Sequence, residues 1–117
     1  IGKVLPNLEG RLEGSAMRAP VPTGSVIDLV LELKRNVTKE EVNQVLEEHS
    51  NETLQFTMDP VVSSDIIGRS CGALVDGLLT TVLEVEGKQL VKVVAWYDNE
   101  MGYSNQMVRT AKYLMEQ

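Results

Sequence analysis

Residues 79–97, LTTVLEVEGKQLVKVVAWY, give the clearest indication of the fold. Two apolar-rich runs, residues 79–85 and 90–97, flank the turn residues 86–88, a pattern that predicts a β-hairpin. The second run is apolar on both faces, with Val91, Val93 and Ala95 on one side and Leu90, Val94 and Trp96 on the other. A sheet buried on both sides needs two covering layers. Helices can supply one layer, and we expect another subunit or another domain to supply the second.

Further strands are predicted upstream of the hairpin. Residues 25–34 place Ile27, Leu29, Leu31 and Leu33 on one face by strict alternation. Residues 54–58 and the pair Leu74 and Val75 read as short strands. Residues 61–67 are predicted to be extended, and residues 68–72 to form a loop.

Two helices complete the prediction. Thr38 and Glu41 have the spacing of a capping box, which predicts a helix over residues 38–49. Asp98 or Asn99 caps a second helix that runs to about residue 115. The residues of this helix predicted to face inward are Met107, Val108, Ala111, Leu114 and Met115. Alternating strands with two segregated helices indicate one α+β domain over residues 1–117. Its sheet is mixed and largely antiparallel, with helices on one face and the other face available for subunit contact.

Charge and composition exclude several function classes. The net charge is −6, and the longest basic cluster is Lys34-Arg35, so we expect no nucleic-acid partner and no anionic membrane partner. No apolar run is long enough to span a bilayer. Cys71 is the only cysteine, which excludes an intrachain disulfide and predicts a cytoplasmic location, as does the lack of a signal peptide. Since the chain begins at Ile1 and not at Met, we expect it to be part of a longer polypeptide.

The candidates for covalent chemistry are few. A cysteine nucleophile needs a nearby base and a cation or helix N-terminus to lower its pKa. Cys71 lies in a loop with Arg69 as its only nearby cation, and His49, the only histidine, lies in the last turn of a predicted helix. A cation there offsets the helix dipole, so a structural role is favoured for His49 over a Cys71–His49 dyad. One histidine and one cysteine cannot complete a zinc site. The sequence predicts no catalytic residue and no metal site.

Residues 17–22 read MRAPVP and form the first candidate binding segment. Pro20 and Pro22 stiffen the chain before the strand at residue 25. A guanidinium on a stiff backbone suits bidentate phosphate binding, which makes Arg18 a candidate phosphate ligand. The alternative is a surface arginine paired with a carboxylate of this acidic protein.

Residues 96–105 read WYDNEMGYSN and form the second candidate segment. They join a strand to a helix N-terminus, where free amides and the helix dipole favour polar or anionic ligands. Asn99 could present its amide to a ligand, and Gly102 permits close approach to the first turn. The alternative is that Asn99 is a helix cap and the aromatic residues belong to the core.

Residues 94–104, VAWYDNEMGYS, resemble the C-terminal signature of the phosphorylating, NAD-dependent glyceraldehyde-3-phosphate dehydrogenases. Three other stretches resemble that family in the same order along the chain: residues 1–6 (IGKVLP), residues 17–22 with 25–29 (SVIDL), and residues 61–65 (VVSSD). The resemblance covers almost the whole chain. Residues 36–58 and 66–73 carry little of it.

The resemblance implies roles for three residues. Arg18 matches the arginine that binds phosphate, either inorganic or on the sugar-phosphate substrate. Asn99 matches the residue that hydrogen-bonds the nicotinamide carboxamide of NAD, and Tyr103 matches the tyrosine beside the nicotinamide ring. The family forms homotetramers through the sheet of this domain, which implies a homo-oligomer. Its cysteine nucleophile and histidine base lie upstream of anything matching Ile1, and neither Cys71 nor His49 aligns with them.

The resemblance therefore implies a fragment of a glycolytic oxidoreductase. The parent would convert glyceraldehyde 3-phosphate, NAD and phosphate to 1,3-bisphosphoglycerate and NADH. This chain would supply phosphate and nicotinamide contacts and the oligomer sheet, would be inactive alone, and is not expected to bind NAD tightly by itself. The alternative is a stand-alone, non-catalytic binding or assembly module derived from that domain. A related dehydrogenase for a four-carbon sugar phosphate is a weaker possibility.

Overall fold

A computed structural model describes residues 1–117 and confirms the α+β class, with two helices and a five-stranded mixed sheet. In chain order the elements are β1 (Ser25–Leu31), α1 (Lys39–Glu48), β2 (Leu54–Thr57), β3 (Ala73–Asp76), β4 (Thr81–Val85), β5 (Lys88–Tyr97) and α2 (Asn99–Met115), with short 3-10 helices at Pro6–Leu8 and Ser63–Ile66. The strand β5 is antiparallel to β1, β3 and β4, whereas β2 is parallel to β3. The prediction of a largely antiparallel sheet is confirmed.

The hairpin of β4 and β5 is present with a tighter turn than predicted. Glu86 and Gly87 have φ values of 52° and 77°, so two left-handed residues connect the strands, and β5 resumes at Lys88. The strand β4 begins at Thr81 and not at residue 79. The reason is that the Asp76 carboxylate accepts hydrogen bonds from the Leu78 and Leu79 amides, at 3.1 and 3.3 Å, and holds these residues in a turn.

The predicted capping box of α1 is confirmed. The Thr38 hydroxyl accepts a hydrogen bond from the Glu41 amide at 3.1 Å, and the Glu41 carboxylate accepts one from the Thr38 amide at 2.8 Å. The backbone hydrogen bond from Thr38 lowers the pKa of Glu41 below its ordinary value. The end of α1 that this box fixes lies near β3, since the Asn43 amide donates to the Gly77 carbonyl at 3.0 Å.

The prediction of extended backbone over residues 61–67 is wrong for Ser63–Ile66, which form a 3-10 helix. The Asp65 carboxylate accepts a hydrogen bond from the Val62 amide at 2.7 Å, and the Asp65 amide donates to the Val62 carbonyl at 2.9 Å. These two hydrogen bonds close a turn, which the apolar residues of this stretch do not predict. Ile66, at the end of the turn, is fully buried.

The inward face predicted for α2 is also wrong. Its predicted members are all exposed: Met107, Val108, Ala111, Leu114 and Met115. The opposite side of the helix meets the chain, because Gly102 is buried against the Cys71 carbonyl, and Arg109 donates to the Ser70 carbonyl at 3.0 Å. A side chain at position 102 would clash, since an added Cβ would lie 2.9 Å from the Cys71 oxygen. The contact is therefore made by the polar side of the helix with loop carbonyls.

The core is small, and much of the chain's surface is open. Ile66, Cys71 and Leu74 form the core cluster, and Trp96 packs against it. The exposed surface is 9081 Å², whereas a compact monomer of this mass exposes about 6,300 Å². The radius of gyration is 15.7 Å, compared with about 13 Å for a compact domain of this length. Neither helix has the length and apolar character needed to cross a bilayer.

Candidate functional site

Asp98 organises the junction between β5 and α2. It is the N-cap of α2, and its carboxylate accepts hydrogen bonds from the amides of Gly68, Glu100 and Met101, at 2.9, 3.0 and 2.8 Å. The amides of Gly68 and Met101 favour the ionised carboxylate most, and they hold the pKa of Asp98 below its ordinary value. Of the two caps considered from sequence, Asp98 is therefore the cap, which leaves the Asn99 side chain free for other contacts.

Asn99 begins α2 and is exposed. Its Oδ1 atom accepts a hydrogen bond from the Ser25 hydroxyl at 2.9 Å, and its Nδ2 atom has no hydrogen-bond partner within the chain. The next residue is held in a similar way, since the Thr23 hydroxyl donates to a Glu100 carboxylate oxygen at 2.7 Å. The amide of Asn99 thus retains its donors for a ligand.

Asn99 and Tyr103 lie in the same shallow depression, which we call the α2 depression. It has a volume of about 320 Å³, and its lining residues are Gly72, Tyr97, Asp98, Asn99, Gly102, Tyr103 and Gln106. Tyr103 follows Asn99 by four residues, so the two side chains share one face of the helix. Tyr103 is 71% exposed and makes no hydrogen bond with another residue through its side chain. An amide donor and an open aromatic ring therefore stand side by side.

Gln106 is a member of this depression that the sequence reasoning missed. Its Oε1 atom accepts hydrogen bonds from the Thr53 hydroxyl at 3.2 Å and from Arg109 at 2.8 Å. Arg109 also forms an ion pair with Glu52 at 3.4 Å. The sequence signal for Gln106 is the spacing of four and three residues between positions 99, 103 and 106, which places these side chains on one helix face.

Ser25 was also missed as a contributor to the site. The register of β1 on β5 pairs Ser25 with Tyr97, which brings its hydroxyl to the start of α2. Sequence alone does not give the pairing of two strand residues that lie 72 positions apart. The contribution of Ser25 is therefore visible only in the folded chain.

Arg18 lies apart from the α2 depression. It is exposed, makes no hydrogen bond or ion pair within the chain, and is not among the lining residues. The alternative of a surface ion pair for Arg18 thus has no partner in this structure. Arg18 is separated from Thr23 by Pro20 and Pro22, in the stretch that enters β1. The structure brings Asn99 and Tyr103 together and leaves the Arg18 guanidinium free.

Cys71 and His49 do not form a catalytic pair. Cys71 is buried, and this burial raises the pKa of its thiol above the ordinary value, which disfavours the thiolate needed for nucleophilic attack. The Nδ1 atom of His49 lies 2.8 Å from the Val45 carbonyl of its own helix, where His49 is the C-cap. Over residues 1–117 no group of three or more His, Cys, Asp or Glu side chains is placed to hold a metal ion.

Comparison with known proteins agrees with the family resemblance of the sequence. Residues 1–99 match the family described as glyceraldehyde 3-phosphate dehydrogenase, C-terminal domain. The chain is 55% identical over 113 residues to a glyceraldehyde-3-phosphate dehydrogenase of Streptococcus pyogenes, and 52% identical over 113 residues to one of Clostridium pasteurianum. Both matches cover 97% of this chain and 34% of the relative. The chain thus spans about a third of the length of these relatives.

Proposed function

The chain belongs to the family of the glyceraldehyde 3-phosphate dehydrogenase C-terminal domain, and from this we propose that it is the sheet-bearing part of a phosphorylating, NAD-dependent dehydrogenase. The complete enzyme oxidises glyceraldehyde 3-phosphate with NAD and phosphate and yields 1,3-bisphosphoglycerate and NADH. The observation that carries the proposal is the 55% identity over 97% of the chain to a dehydrogenase of that name.

The α2 depression fits the nicotinamide end of NAD. Its Asn99 amide has unused donors, which match the carbonyl oxygen of a carboxamide, and the Tyr103 ring is open to flank a planar heterocycle. NAD supplies the hydride acceptor when bound. The part of this chain is to orient the carboxamide through Asn99 and to shield one side of the ring through Tyr103.

Arg18 is proposed to hold phosphate. A guanidinium offers two parallel N–H donors to phosphate oxygens, and its charge stays on at every physiological pH. Arg18 is free of carboxylate partners within the chain, so binding an anion breaks no ion pair. Either inorganic phosphate or the phosphate of the substrate suits this chemistry.

A homo-oligomer through the sheet is part of the same proposal. The strand β1 carries apolar residues on both faces, and Val26, Ile27, Leu29 and Val30 are all exposed. Water contact with so much aliphatic surface on one strand is unfavourable, at roughly 25 cal/mol per Å². A second copy of the chain and the rest of the longer polypeptide are proposed to cover this surface. The enzyme is proposed to act in the cytoplasm.

A crossed substitution experiment in the full-length dehydrogenase tests this function. Arg18→Ala is expected to raise the KM for phosphate or for the sugar phosphate about 10-fold or more and to leave the KM for NAD unchanged, because a charged hydrogen bond is lost at the anion only. Asn99→Asp is expected to raise the KM for NAD and to leave the KM values for phosphate and the sugar phosphate unchanged. The reason is that a carboxylate still accepts from Ser25 but has no N–H to donate. NADH absorbance under varied substrate, phosphate and NAD gives all the constants.

Arg69→Ala is the matched control, because Arg69 is an exposed arginine whose side chain makes a single hydrogen bond, to the Asp65 carbonyl. It is expected to behave as the wild type. The proposal also places the cysteine nucleophile and the histidine base outside this chain. Robust NAD reduction by the isolated 117-residue chain would overturn that part of the proposal. A full-length protein without dehydrogenase activity would favour the non-catalytic assembly module.

A further inference from the structure

Two hydroxyl groups at the entry to β1 hold the first two residues of α2. The Thr23 hydroxyl donates to Glu100 at 2.7 Å, and the Ser25 hydroxyl donates to Asn99 at 2.9 Å. Both bonds join distant parts of the sequence. The donors are Thr23, just before β1, and Ser25, the first residue of β1, and the acceptors are the consecutive α2 residues Glu100 and Asn99. We call this pair of contacts the hydroxyl clamp.

The Ser25 bond fixes which end of the Asn99 amide is available. A primary amide accepts at its oxygen and donates at its nitrogen, and an unrestrained side chain can turn either end toward a ligand. Here the Ser25 hydroxyl donates to the oxygen and so holds the amide in one orientation, in which the nitrogen has no partner within the chain. Asn99 is thereby restricted to meeting a ligand mainly as a hydrogen-bond donor.

The Thr23 bond anchors the end of the segment that carries Arg18 to the start of α2. Arg18 lies five positions before Thr23, so the two residues are at most about 18 Å apart when the chain is fully extended. Pro20 and Pro22 restrict both their own φ angles and the residues before them. Because this segment is anchored at Thr23 and Ser25, it limits how far Arg18 can lie from Asn99.

We propose that Thr23 and Ser25 are positioning residues for the dehydrogenase reaction. Ser25 presents the Asn99 donors to the nicotinamide carboxamide, and both hydroxyls set the spacing between the phosphate contact and the nicotinamide contact. The proposal rests on the proposed function, because it assigns supporting residues to the same site. Neither Thr23 nor Ser25 lines the α2 depression, so each is proposed to act through Asn99, Glu100 or Arg18.

Steady-state kinetics of the full-length dehydrogenase test the clamp. Ser25→Ala is expected to raise the KM for NAD about 3- to 10-fold, because the freed amide must be ordered again on binding. The kcat and the thermal midpoint are expected to stay close to the wild-type values. Ser25→Thr is expected to restore the KM, since a β-branched residue suits the strand and keeps the hydroxyl. Thr23→Val, which removes only the hydroxyl, is expected to raise the KM for both NAD and phosphate about 3-fold.

Ser104→Ala is the matched control. Ser104 is an exposed serine of α2 whose hydroxyl has no hydrogen-bond partner in the chain, so its KM values are expected to equal those of the wild type. An active wild-type enzyme in which Ser25→Ala behaves as Ser104→Ala would overturn the clamp alone, as would failure of Ser25→Thr to restore the KM. An inactive wild-type full-length protein would overturn the proposed function and the clamp with it.

Discussion

The junction of β5 with α2 and the N-terminal segment, residues 1–24, differ in how they are held. All but one of the buried residues lie between Ile66 and Gly102, and residues 1–24 contain none. The junction is held by core packing and by the buried Asp98 carboxylate, which accepts three backbone hydrogen bonds. The N-terminal segment has only short-range hydrogen bonds between its own residues, apart from the Thr23 contact with Glu100.

The two candidate ligand contacts therefore depend on the rest of the molecule in different ways. Asn99 and Tyr103 stand on a helix whose start is fixed by Asp98, so their position is set within this chain. Arg18 stands on a segment that owes its direction to prolines and to the anchor at Thr23 and Ser25. The proposed nicotinamide contacts are therefore positioned by the helix start, whereas the proposed phosphate contact is positioned by the segment that enters β1.

The largest expected contrast comes from the same leucine substitution in the two regions. Leu74 is 2% exposed and packs in the core cluster, so Leu74→Ala should cost about 3 kcal/mol of unfolding free energy. Leu12 is 42% exposed in the N-terminal segment, and Leu12→Ala should change stability by less than about 0.5 kcal/mol. Urea denaturation of the 117-residue chain, followed by circular dichroism, measures both. Equal losses of unfolding free energy at the two positions would show that the two regions are packed alike.

Removal of the Asp98 carboxylate is the next largest effect. Asp98→Ala leaves three amides without their acceptor and should cost about 2 kcal/mol at neutral pH. Because the pKa of Asp98 is lowered in the folded chain, its contribution is present above the ordinary value of 3.8 and is lost as the pH falls through the lowered pKa.

The stability gap between wild type and Asp98→Ala should therefore narrow as the pH falls below about 4. Asp98→Asn, which keeps an oxygen acceptor but not the charge, should lie between the two at neutral pH and should lose less stability on acidification. Urea titrations from pH 7 down to pH 3 provide the comparison. A gap that is constant over this range would mean that the carboxylate does not act through its charge.

The features that sequence predicted well are local ones. The capping box of Thr38 and Glu41 and the Asp98 cap depend on residues three positions apart or fewer, so their spacing is sufficient. The hairpin was predicted for the same reason, since its turn and its two strands are contiguous. The 3-10 helix at Ser63–Ile66 was missed because its apolar neighbours suggested a strand, while one aspartate determined the turn.

The features that sequence did not predict depend on contacts between distant segments. The Ser25 bond to Asn99 follows from the register of β1 on β5, and the Gln106 contacts follow from the position of α2 over the loop at Cys71. The apolar periodicity of α2 was read correctly as a stripe, but such a stripe does not say which part of a protein covers it. Here the polar side of α2 contacts the loop carbonyls, and the apolar stripe is exposed.

The smallest expected effect tests this reversal of α2. Leu114 was predicted to face inward and is 67% exposed, so Leu114→Gln should change the unfolding free energy of the chain by less than about 0.5 kcal/mol. Its control on the contacting side is Gly102→Ala, which should destabilise by about 1 to 3 kcal/mol because the new Cβ meets the Cys71 carbonyl. The same urea titration measures both variants. A loss of about 2 kcal/mol or more for Leu114→Gln would mean that the apolar stripe packs inside the chain, as the sequence pattern alone indicates.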